Sequence, residues 1–143
     1  MKFQTDAGRA SLEFLVGALI LFVPLVIVQT TLSTLSQAQL AAEAAARHGA
    51  RVFVQHTELN SASVAVHRAV RTALSQLGID EPPVIDLRCR PNGACLAPAS
   101  LVDVAVTVSP PLTRIPLVPV SLPLEIPIRG EASAQVSAFR GQP

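Results

Sequence analysis

The residues that could do chemistry are few: two cysteines, three histidines and ten acidic side chains in a chain of 143 residues. His48, His56 and His67 have neither the H-x3-H spacing of two metal ligands on one helix face nor an HExxH motif. No G-x-S-x-G or Walker sequence is present, and the carboxylates are scattered rather than paired. Surface positions explain the histidines better than catalysis does. The sequence therefore predicts a protein that is not an enzyme, with no metal site and no cofactor.

The two cysteines favour a disulfide. Cys89 and Cys95 enclose five residues that include the tight-turn dipeptide Asn92-Gly93. A hairpin at this turn would bring the two Cα atoms to about 5.5 Å, the separation that a disulfide needs. Free thiols are one alternative. Zinc is a weaker one, because no second cysteine pair or nearby histidine completes the ligand set. A disulfide implies an oxidising compartment, hence a C-terminal part outside the cytoplasm.

The overall composition excludes two classes of protein. Half of the residues are hydrophobic, 15% are charged and the formal net charge is +1. The chain is therefore not a disordered charged tail, and it lacks the basic excess of a protein that binds nucleic-acid phosphates. Ten of the twelve prolines fall between Pro82 and Pro127. The chain consequently divides into an alanine-rich N-terminal half and a C-terminal half rich in valine and proline.

An apolar segment in the front half predicts a membrane helix. Positions 14–42 carry no charged residue, and 13 of the 15 residues from Phe14 to Val28 are hydrophobic. The stretch from Phe14 to Leu35 would form about 33 Å of helix, enough to cross a bilayer core of about 30 Å. The threonines and serines after Gln29 can hydrogen-bond back to their own helix. We therefore expect a single-pass membrane anchor.

Two other interpretations of this segment fit less well. A cleaved secretory signal is disfavoured because Glu13 stands at the entrance of the apolar core and no small-x-small cleavage site follows Val28 closely. A buried helix of a soluble protein is disfavoured because the segment has no polar stripe. Positive charges on the two sides are nearly balanced, so the inferred disulfide decides the orientation. We expect a cytoplasmic N-terminus and an extracytoplasmic C-terminal domain.

The junction before the apolar segment reads G-R-A-S-L-E-F, from Gly8 to Phe14. On its own, Glu13 in a first helical turn complements the helix dipole, and Ser11 is near enough to cap that turn. The same residues also resemble the processing site of type IV pilin-like precursors, especially those of the Flp and Tad branch.

Two further segments extend this resemblance. A-A-E-A-A-A-R-H-G-A-R, from Ala41 to Arg51, is similar to the stretch that follows the membrane helix in TadE-like proteins. V-D-V-A-V-T-V-S-P-P-L, which starts at Val102, and the later I-R-G-E-A-S-A-Q-V resemble their valine strand, proline-leucine stretch and final small-residue strand. The chain thus resembles the TadE-like family of Flp/Tad pilus-associated proteins across most of its length.

The resemblance implies a minor pilin or pseudopilin, a structural component of a Tad-type pilus biogenesis or secretion system. A prepilin peptidase would cut after Gly8, leaving Arg9 as the new N-terminus of 135 mature residues. Glu13, followed by Phe14, would pair with the new amine of a neighbouring subunit and set the axial register. The implied partners are the lipid bilayer, other pilins or Tad machinery membrane proteins, and the peptidase, with no nucleic acid. The alternative is a membrane-tethered extracytoplasmic binding module unrelated to pili.

The predicted fold class is α+β. A prepilin-like leader (1–8) precedes a transmembrane and stalk helix (9–54), and a small extracytoplasmic α+β domain (55–143) follows. A second helix is predicted at 61–77, with Val66, Val70, Leu74 and Leu77 in its apolar stripe, and Gly78 ends it.

The remaining elements are predicted to be strands. Residues 84–90 and 101–108 are expected to pair in a small antiparallel sheet, and the alternate valines of the second strand should share one face, which the second helix would cover. Residues 110–127 suit a proline-rich edge segment, and residues 131–139 suit a closing strand.

Overall fold

The computed structural model describes residues 6–91, 93–109 and 126–139, with backbone alone for residues 6–10. Its fold is α+β: a long apolar N-terminal helix, a second helix and a three-stranded antiparallel sheet. In chain order, the elements are α1 (Asp6–Gln55), α2 (Leu59–Gln76), β1 (Val84–Arg90), β2 (Leu101–Val108) and β3 (Ile128–Gln135).

Helix α1 is longer than predicted at both ends. Its 50 residues correspond to about 75 Å. Pro24 lies inside it, and the helix also continues through Gly49. The alanine-rich second half favours this continuity because alanine has the highest helix propensity.

The sheet has the order β1-β2-β3. The bounds of β1 and β2 match the prediction, and the alternate valines of β2 are all buried on one face. Strand β3 begins and ends earlier than predicted. Its pairing with β2 begins where Ile128 faces Val108 and ends where Gln135 faces Leu101. Beyond that ladder, Val136 exchanges backbone hydrogen bonds with Ala99 and Ser100 in the loop before β2.

The core forms around the second half of α1, which packs against α2, β2 and β3. We expected α2 to cover the valine face, but the helix that lies on β2 and β3 is α1. The reason is steric: the β3 residues that face inward are small, so the α1 backbone can approach closely. These residues are Gly130, Ala132 and Ala134.

Helix α2 buries its apolar stripe against α1. Ala62, Val66, Val70 and Leu74 are buried. Leu77, which we placed in the same stripe, is instead 57% exposed because it follows the last helical residue. The predicted proline-rich edge segment, 110–127, lies outside the described residues except for its last two positions.

Candidate functional site

The first half of α1 is covered by almost none of the described chain. Phe14, Leu21 and Leu25 are 75%, 73% and 59% exposed, and the other large apolar side chains between Leu12 and Leu32 are also exposed, except for the half-buried Ile27. This part of α1 is long and apolar enough to cross a membrane. An exposed apolar surface of this extent marks a contact with lipid or with other proteins.

The threonine hydroxyls at the end of this apolar stretch hydrogen-bond back to their own helix, as predicted. Thr30 and Thr31 donate hydrogen bonds to the carbonyl of Ile27, at 2.9 and 2.8 Å, and Thr34 donates to the carbonyl of Thr30 at 2.9 Å. Such back-bonding lets a hydroxyl enter an apolar environment without an unpaired donor. These threonines therefore extend the stretch that lipid can surround.

The environment of α1 changes within about one turn. From Ser11 onward, Ala38 is the first residue that is buried, and Ala42, Ala46 and Phe53 continue the buried side into the core. The first charge after Glu13 is Glu43, which forms an exposed ion pair with Arg47 at 3.4 Å. A single helix thus has a bare apolar half and a half that is built into the domain.

The residues named by the resemblance lie at the start of α1. The backbone of Gly8 and Arg9 is helical, so the bond between them lies within the first turn. Glu13 is exposed, and so is Phe14. Glu13 lies five positions after Gly8, about 7.5 Å along the helix axis. Processing and register roles for these residues stay predictions.

Cys89 and Cys95 lie at disulfide-bonding distance, with their Cα atoms 4.9 Å apart. We expected the two cysteines to face each other across a hairpin, but they do not. Cys89 lies in β1 opposite Val102, and Cys95 lies in the loop that joins β1 to β2. Gly93 in that loop has φ +86°, a turn conformation that suits glycine. Asn92 lies outside the described residues.

The outer face of the sheet carries a polar network that our sequence analysis missed. Arg90 donates to Asp103 at 2.7 Å, and Ser133 donates to the same carboxylate. The pKa of Asp103 lies below its ordinary value. The hydrogen bond from Arg90 is the largest cause, and the hydrogen bond from Ser133 is the next. The ion pairs Arg88–Asp86 and Arg129–Glu131 flank it, at 3.0 and 2.7 Å. The sequence does carry a pattern that indicates this network, because charged residues alternate with apolar ones along β1.

This network consists of paired charges on the sheet surface. Its arginines and carboxylates neutralise each other in pairs, on an open groove of the sheet surface. His48 and His67 are exposed, and Nδ1 of His56 lies 2.9 Å from the carbonyl oxygen of Val52. Within the part of the chain that the structure describes, no group of three or more His, Cys, Asp or Glu side chains could hold a metal ion.

Comparison with protein families, with characterised proteins and with solved structures gives no match to this chain.

Proposed function

We propose that this protein is a TadE-like minor pilin or pseudopilin, a single-pass membrane protein that serves as a structural component of a Tad-type pilus biogenesis or secretion system. The observation that carries the proposal is the division of α1 at Ala38. Before this residue, the helix offers a bare apolar surface, and after it the same helix forms the centre of the folded domain.

A continuous helix couples the anchor mechanically to the domain. Ala42, Ala45, Ala46 and Phe53 are at most 2% exposed and pack among α2 and the sheet. Any displacement of the apolar half is therefore transmitted to the domain without a flexible linker. This is a useful property for a subunit that is drawn from the bilayer into an assembly by contacts along its helix.

The proposed orientation rests on the cysteines. A disulfide between Cys89 and Cys95 is stable in an oxidising compartment, which supports an extracytoplasmic domain and a cytoplasmic N-terminus. A prepilin peptidase would then cut between Gly8 and Arg9. Glu13, at the entrance of the apolar stretch, would be costly in lipid without a partner, and the new amine of a neighbouring subunit would supply one.

The proposed role is assembly rather than catalysis. Its partners are the bilayer, other pilins or Tad machinery membrane proteins, and the peptidase. The competing function, a membrane-tethered binding module, would need neither processing after Gly8 nor a partner for Glu13. The two functions therefore separate on the state of the N-terminus and on self-association.

The mass of the protein extracted from membranes tests processing. We expect a chain that begins at Arg9, and we expect Gly8→Val to leave the chain at full length. Gly17→Val is the matched control, because a Cβ at Gly17 meets no atom within 4 Å and this glycine lies in the same helix. A native chain that begins after Val28 would identify a secretory signal and refute the anchor.

Recovery of the protein in a sheared filament fraction tests the role of Glu13. We expect Glu13→Gln to reduce incorporation while the amount in the membrane is unchanged, since the variant loses the charge but keeps the shape. Glu43→Gln is the control, because Glu43 lies in the same helix and pairs with Arg47 within its own chain. Equal incorporation of the two variants would favour the tethered binding module.

A further inference from the structure

Several exposed apolar side chains lie at the end of the domain from which the bare half of α1 emerges. They come from different parts of the chain, and we call them the apolar rim: Leu40, Leu77, Val84 and Ile126, with exposed fractions of 67%, 57%, 69% and 36%. Exposed large apolar residues that gather at one end of a domain indicate a contact surface.

The packing of α2 on α1 brings the first two rim residues together. Val66 and Val70 of α2 lie against Gly49 of α1, and Leu77 shares a groove with Leu40, so α2 runs back along α1 toward the apolar half. Its C-terminal end reaches the level of Leu40, where Leu77 and Leu40 line a common groove.

The sheet brings the other two rim residues to the same end. Gly130 lies against the α1 backbone at Ala42, only two residues beyond Leu40. Val84 belongs to the neighbouring row of the sheet, Val84–Thr107–Arg129, and Ile126 lies two residues before β3.

The length of the charge-free segment says where this end of the domain would lie relative to a bilayer. Positions 14–42 would form about 43 Å of helix, whereas the hydrocarbon core needs only about 30 Å. The full bilayer, with both headgroup layers, is about 40–45 Å thick. With the core spanned from Phe14 to about Leu35, Leu40 falls in the headgroup layer.

We propose that the apolar rim lies in the headgroup layer of the membrane that α1 spans, so that the domain rests on the bilayer instead of standing away from it on a free stalk. This inference depends on the proposed function, because it requires α1 to be in the membrane. The rim continues the bare apolar surface of α1, which is why lipid, and not a separate protein, is the occupant that we assign.

The charges beside the rim define the character of this contact. Asp80 is exposed and Glu81 is half-buried next to Leu77, while Arg129 pairs with Glu131. Carboxylates are not attracted to anionic headgroups, so the contact depends on apolar burial and not on lipid charge. Anionic lipid should therefore not strengthen binding of the rim, because its headgroups repel these carboxylates.

Single tryptophans provide the test, because the chain contains none. Full-length Leu77→Trp is reconstituted in phosphatidylcholine vesicles that contain lipid brominated near the headgroup end of its acyl chains, and its emission is measured. We expect a loss of emission relative to the same variant in unbrominated vesicles, as for a side chain at the headgroup–acyl boundary. Leu40→Trp repeats the measurement from the other side of the groove.

Leu59→Trp is the matched control, since Leu59 is 53% exposed at the opposite end of the same helix. Its emission should be unaffected by bromine. Leu25→Trp, in the bare half of α1, reports on the anchor itself and should be quenched by lipid brominated deep in the acyl chains.

The outcomes separate the two proposals. If Leu25→Trp is quenched but Leu77→Trp and Leu40→Trp are not, the rim does not contact lipid, while the proposal that α1 spans the membrane stands. If the emission of Leu77→Trp is blue-shifted but not quenched by bromine, the rim is buried against a second copy of the chain. This result would also overturn the contact with lipid. Equal quenching at Leu59 and Leu77 contradicts a specific rim. No quenching of Leu25→Trp overturns the anchor and the rim together.

Discussion

Gly130 in β3 lies directly against the main chain of Ala42 in α1, and a Cβ placed on Gly130 would overlap the backbone of Ala42 and Glu43. Neither partner can yield by turning a side chain, because backbone meets backbone. This contact joins the helix that carries the apolar half to the strand that closes the sheet. It is therefore the point where the proposed anchor and the domain depend most directly on each other.

Gly130→Ala should lower the free energy of unfolding of the full-length protein in detergent micelles by about 3 kcal/mol or more, because the added methyl group forces α1 away from β3. Guanidinium unfolding followed by circular dichroism measures this change. Gly17→Ala is the control, since a Cβ at Gly17 meets nothing within 4 Å. Equal stabilities of the two variants would show that the sheet and α1 are less tightly joined than described.

Removal of the disulfide should lower the free energy of unfolding by about 2–2.5 kcal/mol in the chain-entropy model, because only six positions separate Cys89 from Cys95. The double variant Cys89→Ser/Cys95→Ser and the reduced native protein should unfold at the same guanidinium concentration. Reductant should have no further effect on the double variant. An unchanged midpoint on reduction of the native protein would contradict a stabilising disulfide.

Asp103 should contribute stability that disappears in acid. Hydrogen bonds from Arg90 and Ser133 hold the pKa of Asp103 below its unfolded value of about 3.9. The contribution is therefore fully present above the unfolded pKa and is lost as pH falls through the lower, folded pKa.

Asp103→Asn should accordingly cost about 1 kcal/mol at pH 7 and lose less stability than the native protein between pH 5 and about pH 2. Unfolding of both proteins across this pH range measures the difference. Asp80→Asn is the control, since Asp80 is exposed. A parallel pH dependence of Asp103→Asn and the native protein would rule out the assigned role of the network.

Two charges in the bare half of α1 should prevent stable membrane insertion. Leu21→Arg/Leu25→Arg would cost about 5–7 kcal/mol on insertion scales, because both positions would lie in hydrocarbon. The fraction of protein that stays in membranes after alkaline carbonate extraction should fall. Leu59→Arg, at a similarly exposed position in α2, should leave this fraction unchanged. Retention of both variants would count against a lipid-embedded α1.

The amino-acid sequence by itself determined the features that depend on local pattern. A charge-free, largely apolar stretch followed by alanines predicts one long helix, and α1 is such a helix. Alternation of valines predicts β2 with its buried face, and the bounds of β1 and β2 follow from the flanking turn residues. The nearness of Cys89 and Cys95 follows from their spacing.

The tertiary structure decided which of these surfaces meet. Both helices have an apolar or small-residue side that could cover the valine face, and a local pattern does not rank them. The choice of α1 depends on Gly130, which is almost ninety positions away from Ala42 in the chain. In the same way, Asp103 finds Ser133 only because β2 pairs with β3. Contacts between distant segments depend on steric fit and register across the assembled sheet, and these physical conditions exist only once the chain has folded.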